Sequence, residues 1–429
     1  MRRPAWIVNR FTHRGHHMTQ PTLAHGGQGL FDRLRQNHDD RLPLQQAAQL
    51  AIEVEFTTIP TYLTAMYSIQ DVDSKAYQTL RSVVMEEMFH LNQAANTLVA
   101  IGGQPKFTGS AVPKYPCYLP HANTSTTPYI GLYRASPEVF ENVFVAIEEP
   151  APPHAPPEGD NYSTIAQLYD ALLLGLKTYH GTTPLFTPNP HGRQRTDIYI
   201  GKFGGNPVAV TDMKSAHFGI TEILQQGEGS VPEGQALVPI QPFATYNQYG
   251  QRSDGTYGPI IGTPYEMSHF IKFRQVALDT ANFPATYPII GNPRRVDFTS
   301  QRALHLAEVF DFCYSLMLDA MEQSFHVAPA GQTADPFFAI VLPLMHAYLP
   351  TLARLLMSTP MRDDGDSSVG PNAAPTWHYT HGITLTRLHD ALQPLLKLDD
   401  FSADELASLT QMITSVEHLR SVHPEPKAR

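Results

Sequence analysis

The spacing Glu-x-x-His occurs twice in this chain, as Glu87-Met88-Phe89-His90 and as Glu266-Met267-Ser268-His269. On a helix, residues three apart share one face about a turn from each other, so a carboxylate oxygen and an imidazole nitrogen can reach the same ion. A single copy is uninformative. Here each copy falls on an apolar stripe: Leu80, Val84, Leu91, Ala94, Leu98 and Ile101 around the first, and Phe270, Phe273, Val276 and Ala277 around the second. Charged groups turned into an apolar core are costly unless paired or bound to metal. Metal binding removes that cost for four residues at once.

Two such motifs in a helical bundle hold two metal ions when each of two further helices adds a glutamate. Helix phase selects the candidates. On the 44–69 pattern, Leu44, Ala48, Ala51, Ile59, Tyr62 and Met66 define the inner stripe. Glu55 lies on it, while Glu53 lies about 200° away. On the 212–228 pattern, the stripe of Ala216, Ile220, Ile223, Leu224 and Gly227 is bordered by Glu228, with Glu222 on the far side. The expected ligand set is therefore Glu55, Glu87, His90, Glu228, Glu266 and His269. Glu53, Glu86 and Glu222 are expected at the surface, Tyr62 is expected to pack, and His217, His305, His326 and His346 have no second ligand at a metal-binding spacing. Carboxylate and imidazole donors without thiolate suit iron, with manganese as the alternative.

Helical periodicity predicts an antiparallel pair at 44–69 and 75–101, the second ending at Gly102-Gly103, with Pro60 kinking the first. A Pro-, Gly- and Tyr-rich crossover follows, with short helices at 136–148 and 163–179; a connection of that length more often forms a functional wall than a linker. Helices are then expected at 212–228, 264–280, 300–326, 335–357, 381–396 and 403–419. The predicted organisation is a mobile N-terminal tail and lead-in (1–43), a bundle (44–280) with a long insertion (102–210), and a helical extension (281–429) that covers a bundle face or forms a homodimer contact. Net charge is −10 with no basic patch, which argues against nucleic acid, and no apolar run of about 18 residues suggests a bilayer span. Only Cys117 and Cys313 are present, far apart, so the expectation is a reducing cytoplasm.

The stretch Glu55-Phe56-Thr57-Thr58-Ile59-Pro60-Thr61-Tyr62-Leu63, then Glu86-Glu87-Met88-Phe89-His90-Leu91 and Ile101-Gly102-Gly103, resembles the ferritin-like domain of the iminophenyl-pyruvate dimer synthase family. Gln226-Gly227-Glu228-Gly229 and Glu266-Met267-Ser268-His269-Phe270 are similar to that family's later motifs. The chain departs from the family at Thr164-Ile165-Ala166-Gln167-Leu168-Tyr169, where an acidic residue is usual at the place of Gln167. The resemblance implies an all-α, ferritin-like four-helix bundle with a long crossover and added C-terminal helices. It also implies a non-haem di-iron oxidase or oxygenase using O2 as co-substrate, with or without an electron donor, on a small amino-acid-derived or other secondary-metabolite substrate, by oxidative coupling or imine oxidation. The alternatives are a ferroxidase or iron-storage protein and a metal-free binding bundle. The substrate pocket is expected from the crossover, the 229–262 loop with Phe243, Tyr246 and Tyr249, and the C-terminal helices.

Overall fold

The computed structural model describes residues 29–36, 39–150, 161–200, 205–229, 267–328, 334–398 and 401–422. These residues are mostly helical, and their β-pairing is limited to isolated bridges. At the centre, α1 (Leu30–Gln36) leads into the long pair α2 (Leu42–Ser68) and α3 (Lys75–Ala100). The Ser74 hydroxyl caps α3 by accepting from Tyr77 N–H. At its far end Gly102 takes φ +84°, which a Cβ would resist, and Gly102 and Gly103 N–H donate back to Val99 and Leu98 carbonyls. Helix α2 runs through Pro60 without a break; the donor that Pro60 lacks would have served the Phe56 carbonyl. The lead-in before α2 contains a helix, with Leu30, Phe31 and Leu34 buried against α2 and the later helix α6, while the N-terminal tail expected to be mobile lies outside the described residues. Seven residues are too short a pattern to stand out by periodicity.

A short rod forms one side of the bundle. It comprises α4 (Pro137–Val139), a π-helical turn (Phe140–Phe144) and α5 (Val145–Ile147). On the other side lie α6 (Ile165–Thr178), against α1 and α2, and α7 (Met213–Gln226), against α3. Helix α8 (His269–Leu278) packs between the rod and α3. Each of these elements starts at a side-chain cap, from Ser136, Thr164, Asp212 and Ser268 respectively, which satisfies exposed backbone donors.

The extension consists of α9 (Gln301–Ser324), two π-helical turns leading into α10 (Leu349–Met357), then α11 (Leu385–Leu392) and α12 (Ala403–Val422). Helix α10 packs on both α9 and α2, and one buried apolar cluster joins extension and bundle. The run Phe337–Met357 is long and apolar enough to cross a bilayer by length and composition, contrary to the sequence expectation, and half of it is buried within the protein.

Candidate metal centre

Glu55, on α2, and Glu87 and His90, on α3, face one another across the central pair, each at most 2% exposed. His90 Nδ1 lies 3.5 Å from Glu55 Oε2 and 3.9 Å from Glu87 Oε1. His269, the first residue of α8, approaches from the third side, its Nδ1 2.9 Å from Glu87 Oε1 and 3.5 Å from Glu148 Oε1. Two triads of potential ligands result, Glu55–Glu87–His90 and Glu87–Glu148–His269, and they share Glu87. The two imidazoles stack, with centroids 5.4 Å apart.

Each carboxylate accepts a hydrogen bond from a neighbouring hydroxyl. The Thr58 hydroxyl donates to Glu87 Oε2 (2.6 Å), the Tyr169 hydroxyl to Glu55 Oε1 (2.6 Å) and the Tyr62 hydroxyl to Glu148 Oε1 (2.7 Å). The imidazoles are held alike: His90 Nε2 is 3.0 Å from Gln226 Oε1, and His269 Nε2 is 2.9 Å from Glu86 Oε2. With an Nε2 proton directed at these oxygens, both Nδ1 atoms point into the centre, where each offers a ligand lone pair once its own proton is lost. The rings of Tyr62, Phe144 and Phe273 close one flank at centroid distances of 5.0–5.4 Å.

The electrostatics follow from crowding buried acids. Burial first, then the Glu55 and Glu148 charges, push the Glu87 carboxyl up to about 7, against the opposing pull of His269. Burial also acts to raise Glu55, but His90, Tyr169 and Glu87 outweigh it and leave Glu55 below its ordinary value. For His90 burial opposes the charged form, yet Glu55 and Glu87 prevail and raise it. His269 is raised well above its ordinary value, with Glu148, Glu86 and Glu87 overcoming burial.

The group of side chains fits divalent metal. His269 Nδ1 is buried, and despite its short distance to Glu87 it has no hydrogen-bond partner of acceptable geometry. An inward ring nitrogen beside three buried carboxylates offers a metal ligand once it is deprotonated, and a buried nitrogen left unpaired otherwise pays for desolvation.

Four of the six residues expected from sequence come together here: Glu55, Glu87, His90 and His269. Glu228 is buried but differently engaged. Its Oε1 accepts from Ala166 N–H (2.8 Å) at the start of α6, where a carboxylate complements the helix dipole. Glu148, just beyond α5 and absent from the ligand set expected from sequence, groups with Glu87 and His269. Gly227, the neighbour of Glu228 in sequence, nonetheless borders the centre: a Cβ there would lie 3.7 Å from Glu148 Oε2. Glu266 lies outside the described residues, as do Phe243, Tyr246 and Tyr249. Met267 and Ser268 are non-helical, so the second motif is not carried on one continuous helix.

Glu86, expected at the surface, is fully buried and bonded to Lys272 Nζ (2.7 Å) as well as His269. Helix α3 is covered by α2, α7 and α8, leaving little of it a solvent face. Tyr62, expected only to pack, also holds Glu148. Gln167 caps its own helix by accepting from Ser163 N–H, and α6 reaches the centre through Tyr169 instead.

A buried carboxylate–imidazole cluster within an all-α bundle is compatible with the two-metal sites of helical carboxylate proteins. The family model described as Ferritin-like matches residues 48–278, more than half of the chain, and the chain belongs to that family. A solved structure of a ferritin-like protein from Caulobacter vibrioides superposes with TM-score 0.52 at 21% identity, covering 80% of this chain and 99% of that one. It supports the fold. No curated protein matches the chain.

Proposed function

We propose that this chain is a non-haem di-iron oxidase that uses O2 on a small organic substrate, an amino-acid-derived imine of the kind the iminophenyl-pyruvate dimer synthase resemblance implies. The observation carrying this reading is Glu87 shared between two buried Glu/His triads, an arrangement suited to a carboxylate that bridges two ions. Glu55 and His90 would serve one ion, Glu148 and His269 the other, with Glu266 completing the set. Iron ions held there would supply the redox chemistry that passes electrons from substrate to O2. The chain's own part is positional and protic. Thr58 orients the shared carboxylate, and Tyr62 and Tyr169 each present a hydroxyl proton to a ligand oxygen, while burial pushes both phenols well above their ordinary values and keeps them protonated. Phe144 and Phe273 exclude water from one flank, which protects reactive species from side reactions. In an oxidative coupling of two imine molecules, the pair would give up two electrons and two protons as the new bond forms, reducing one O2 to hydrogen peroxide.

The test is anaerobic loading with ferrous iron, metal counting, then oxygen addition with and without candidate imines. Two irons per chain and substrate-dependent O2 consumption are expected. A protein that retains no iron would overturn the metal assignment, and retained iron that never reacts with oxygen would overturn the oxidase assignment.

A further inference from the structure

A cavity of about 620 Å³ lies between the α2–α3 pair and the extension, on a different face of that pair from the metal centre. Glu55, Thr58 and Tyr62 face the centre, whereas Phe56, Ile59 and Leu63, one position on, face the cavity. Six methionines line it, namely Met66, Met85, Met88, Met317, Met321 and Met345, and their flexible, polarizable side chains adapt to variable apolar shapes. Its volume falls in the range of small-molecule sites.

Two features argue for a specific ligand class. No described lining residue is acidic, while Arg81 lines the cavity and is solvent-exposed, which places positive charge at its rim over an apolar interior; burial and Arg81 together hold the neighbouring His346 below its ordinary value and so favour its neutral form. One wall is Trp377, a non-glycine residue at φ +51° whose indole N–H donates to Thr64 Oγ1 (2.8 Å) on α2. Thr376 and His378, on either side of it, both donate to the buried Asp311 carboxylate, which holds this uncommon backbone conformation in place. A wall maintained at a backbone cost, a methionine-rich lining and a cationic rim complement an amphiphile with an anionic head.

We propose that this cavity binds a medium- to long-chain fatty acid, its tail among the methionines and its carboxylate at Arg81. The site is separate from the metal centre and does not depend on it. Carboxylate recognition by arginine supplies orientation and the tail supplies buried apolar area.

Trp377 provides the readout, because the chain has only two tryptophans, Trp6 and Trp377. In a Trp6→Phe protein, titration with 11-bromoundecanoate should quench Trp377 emission saturably, and unbrominated tetradecanoate should reverse the quenching. The Arg81→Gln variant, at an exposed position, should weaken binding about tenfold, and 11-bromoundecanol should bind the parent protein weakly. Val84→Phe, which fills the cavity, should abolish quenching. Absence of saturable quenching overturns the proposal, as does equal quenching by acid and alcohol with no effect of Arg81→Gln. Should Val84→Phe not fold, the acid–alcohol comparison and Arg81→Gln decide the outcome.

Discussion

Glu86 Oε2 lies 2.9 Å from His269 Nε2 and also takes a hydrogen bond from Lys272 Nζ at 2.7 Å, so one fully buried oxygen joins an imidazole of the centre to a buried cation. The Glu86 carboxyl feels burial, which acts to raise it, but Lys272 and His269 hold it below its ordinary value and therefore ionised. An ionised partner behind an imidazole fixes the tautomer and increases the basicity of the opposite nitrogen.

From this arrangement Glu86→Ala is expected to weaken divalent-metal binding by about 10–100-fold. It also leaves the Lys272 ammonium buried without this partner, at a cost of about 3–5 kcal/mol. Adding Lys272→Met should recover most of that stability without restoring metal affinity. Urea unfolding and chelator competition on the single and double variants check both parts. Recovery of affinity in the double variant would show that Glu86 acts only through folding.

Glu148 groups with Glu87 and His269 whereas Glu228 engages the start of α6, and two substitutions separate their roles. Glu148→Ala should lower bound iron from two ions per chain toward one, because only the Glu55–Glu87–His90 triad stays whole. Glu228→Ala should keep both ions and cost about 1 kcal/mol, the scale of a lost helix-start acceptor. Metal counting after anaerobic loading and gel filtration distinguishes them, and one ion in Glu228→Ala would return that residue to the ligand set.

The reason Glu148 was hidden is physical. Periodicity reads long helices well, and α2, α3 and α9 lie within a few residues of their predicted bounds. The rod carrying Glu148 is short and contains a π-helical turn, which breaks the 3.6-residue phase by which a face is recognised. The signal available was Phe140, Phe144 and Glu148 at four-residue intervals, with two aromatics preceding an acid on one face. Glu86 escaped for another reason: phase assigns a direction relative to one partner, and α3 has several. The stripe containing Glu87 and His90 was legible because it faces α2. That Glu86, 100° around the helix, also faces a neighbour depends on where α8 docks.

Metal binding should strengthen with pH. The Glu87 carboxyl is pushed up to about 7, so below that pH an incoming ion must displace its proton. His90 and His269, both raised, must also surrender protons, and their contribution carries the same sign. Affinity is therefore expected to fall by up to about tenfold per pH unit from Glu87 alone as pH drops below 7. It should level off at higher pH, once the three groups are deprotonated. Cobalt(II) titrations from pH 5.5 to 8.5, with proton release measured in weak buffer, test this, and pH-independent affinity would contradict it.

Asp311 couples the strained wall of the apolar cavity to pH. Its Oδ1 accepts from the Thr376 hydroxyl (2.6 Å) and from His378 N–H (3.0 Å), while burial pushes its carboxyl from an ordinary 3.8 to about 7. Between those values the unfolded chain has released the proton and the folded chain still holds it. This residue's contribution to stability is therefore lost as pH rises across that window, by up to about 1.4 kcal/mol per unit, and is flat above 7. Asp311→Asn keeps the Oδ1 acceptor and cannot ionise. Its stability relative to the parent protein should rise steadily from about pH 4 to 7 and then stay constant, leaving a fixed offset from the amide that replaces Oδ2. Urea unfolding at pH 4.5, 6 and 8, followed by Trp377 emission, measures the difference, and a parent–variant gap that ignores pH would mean that Asp311 is ionised throughout.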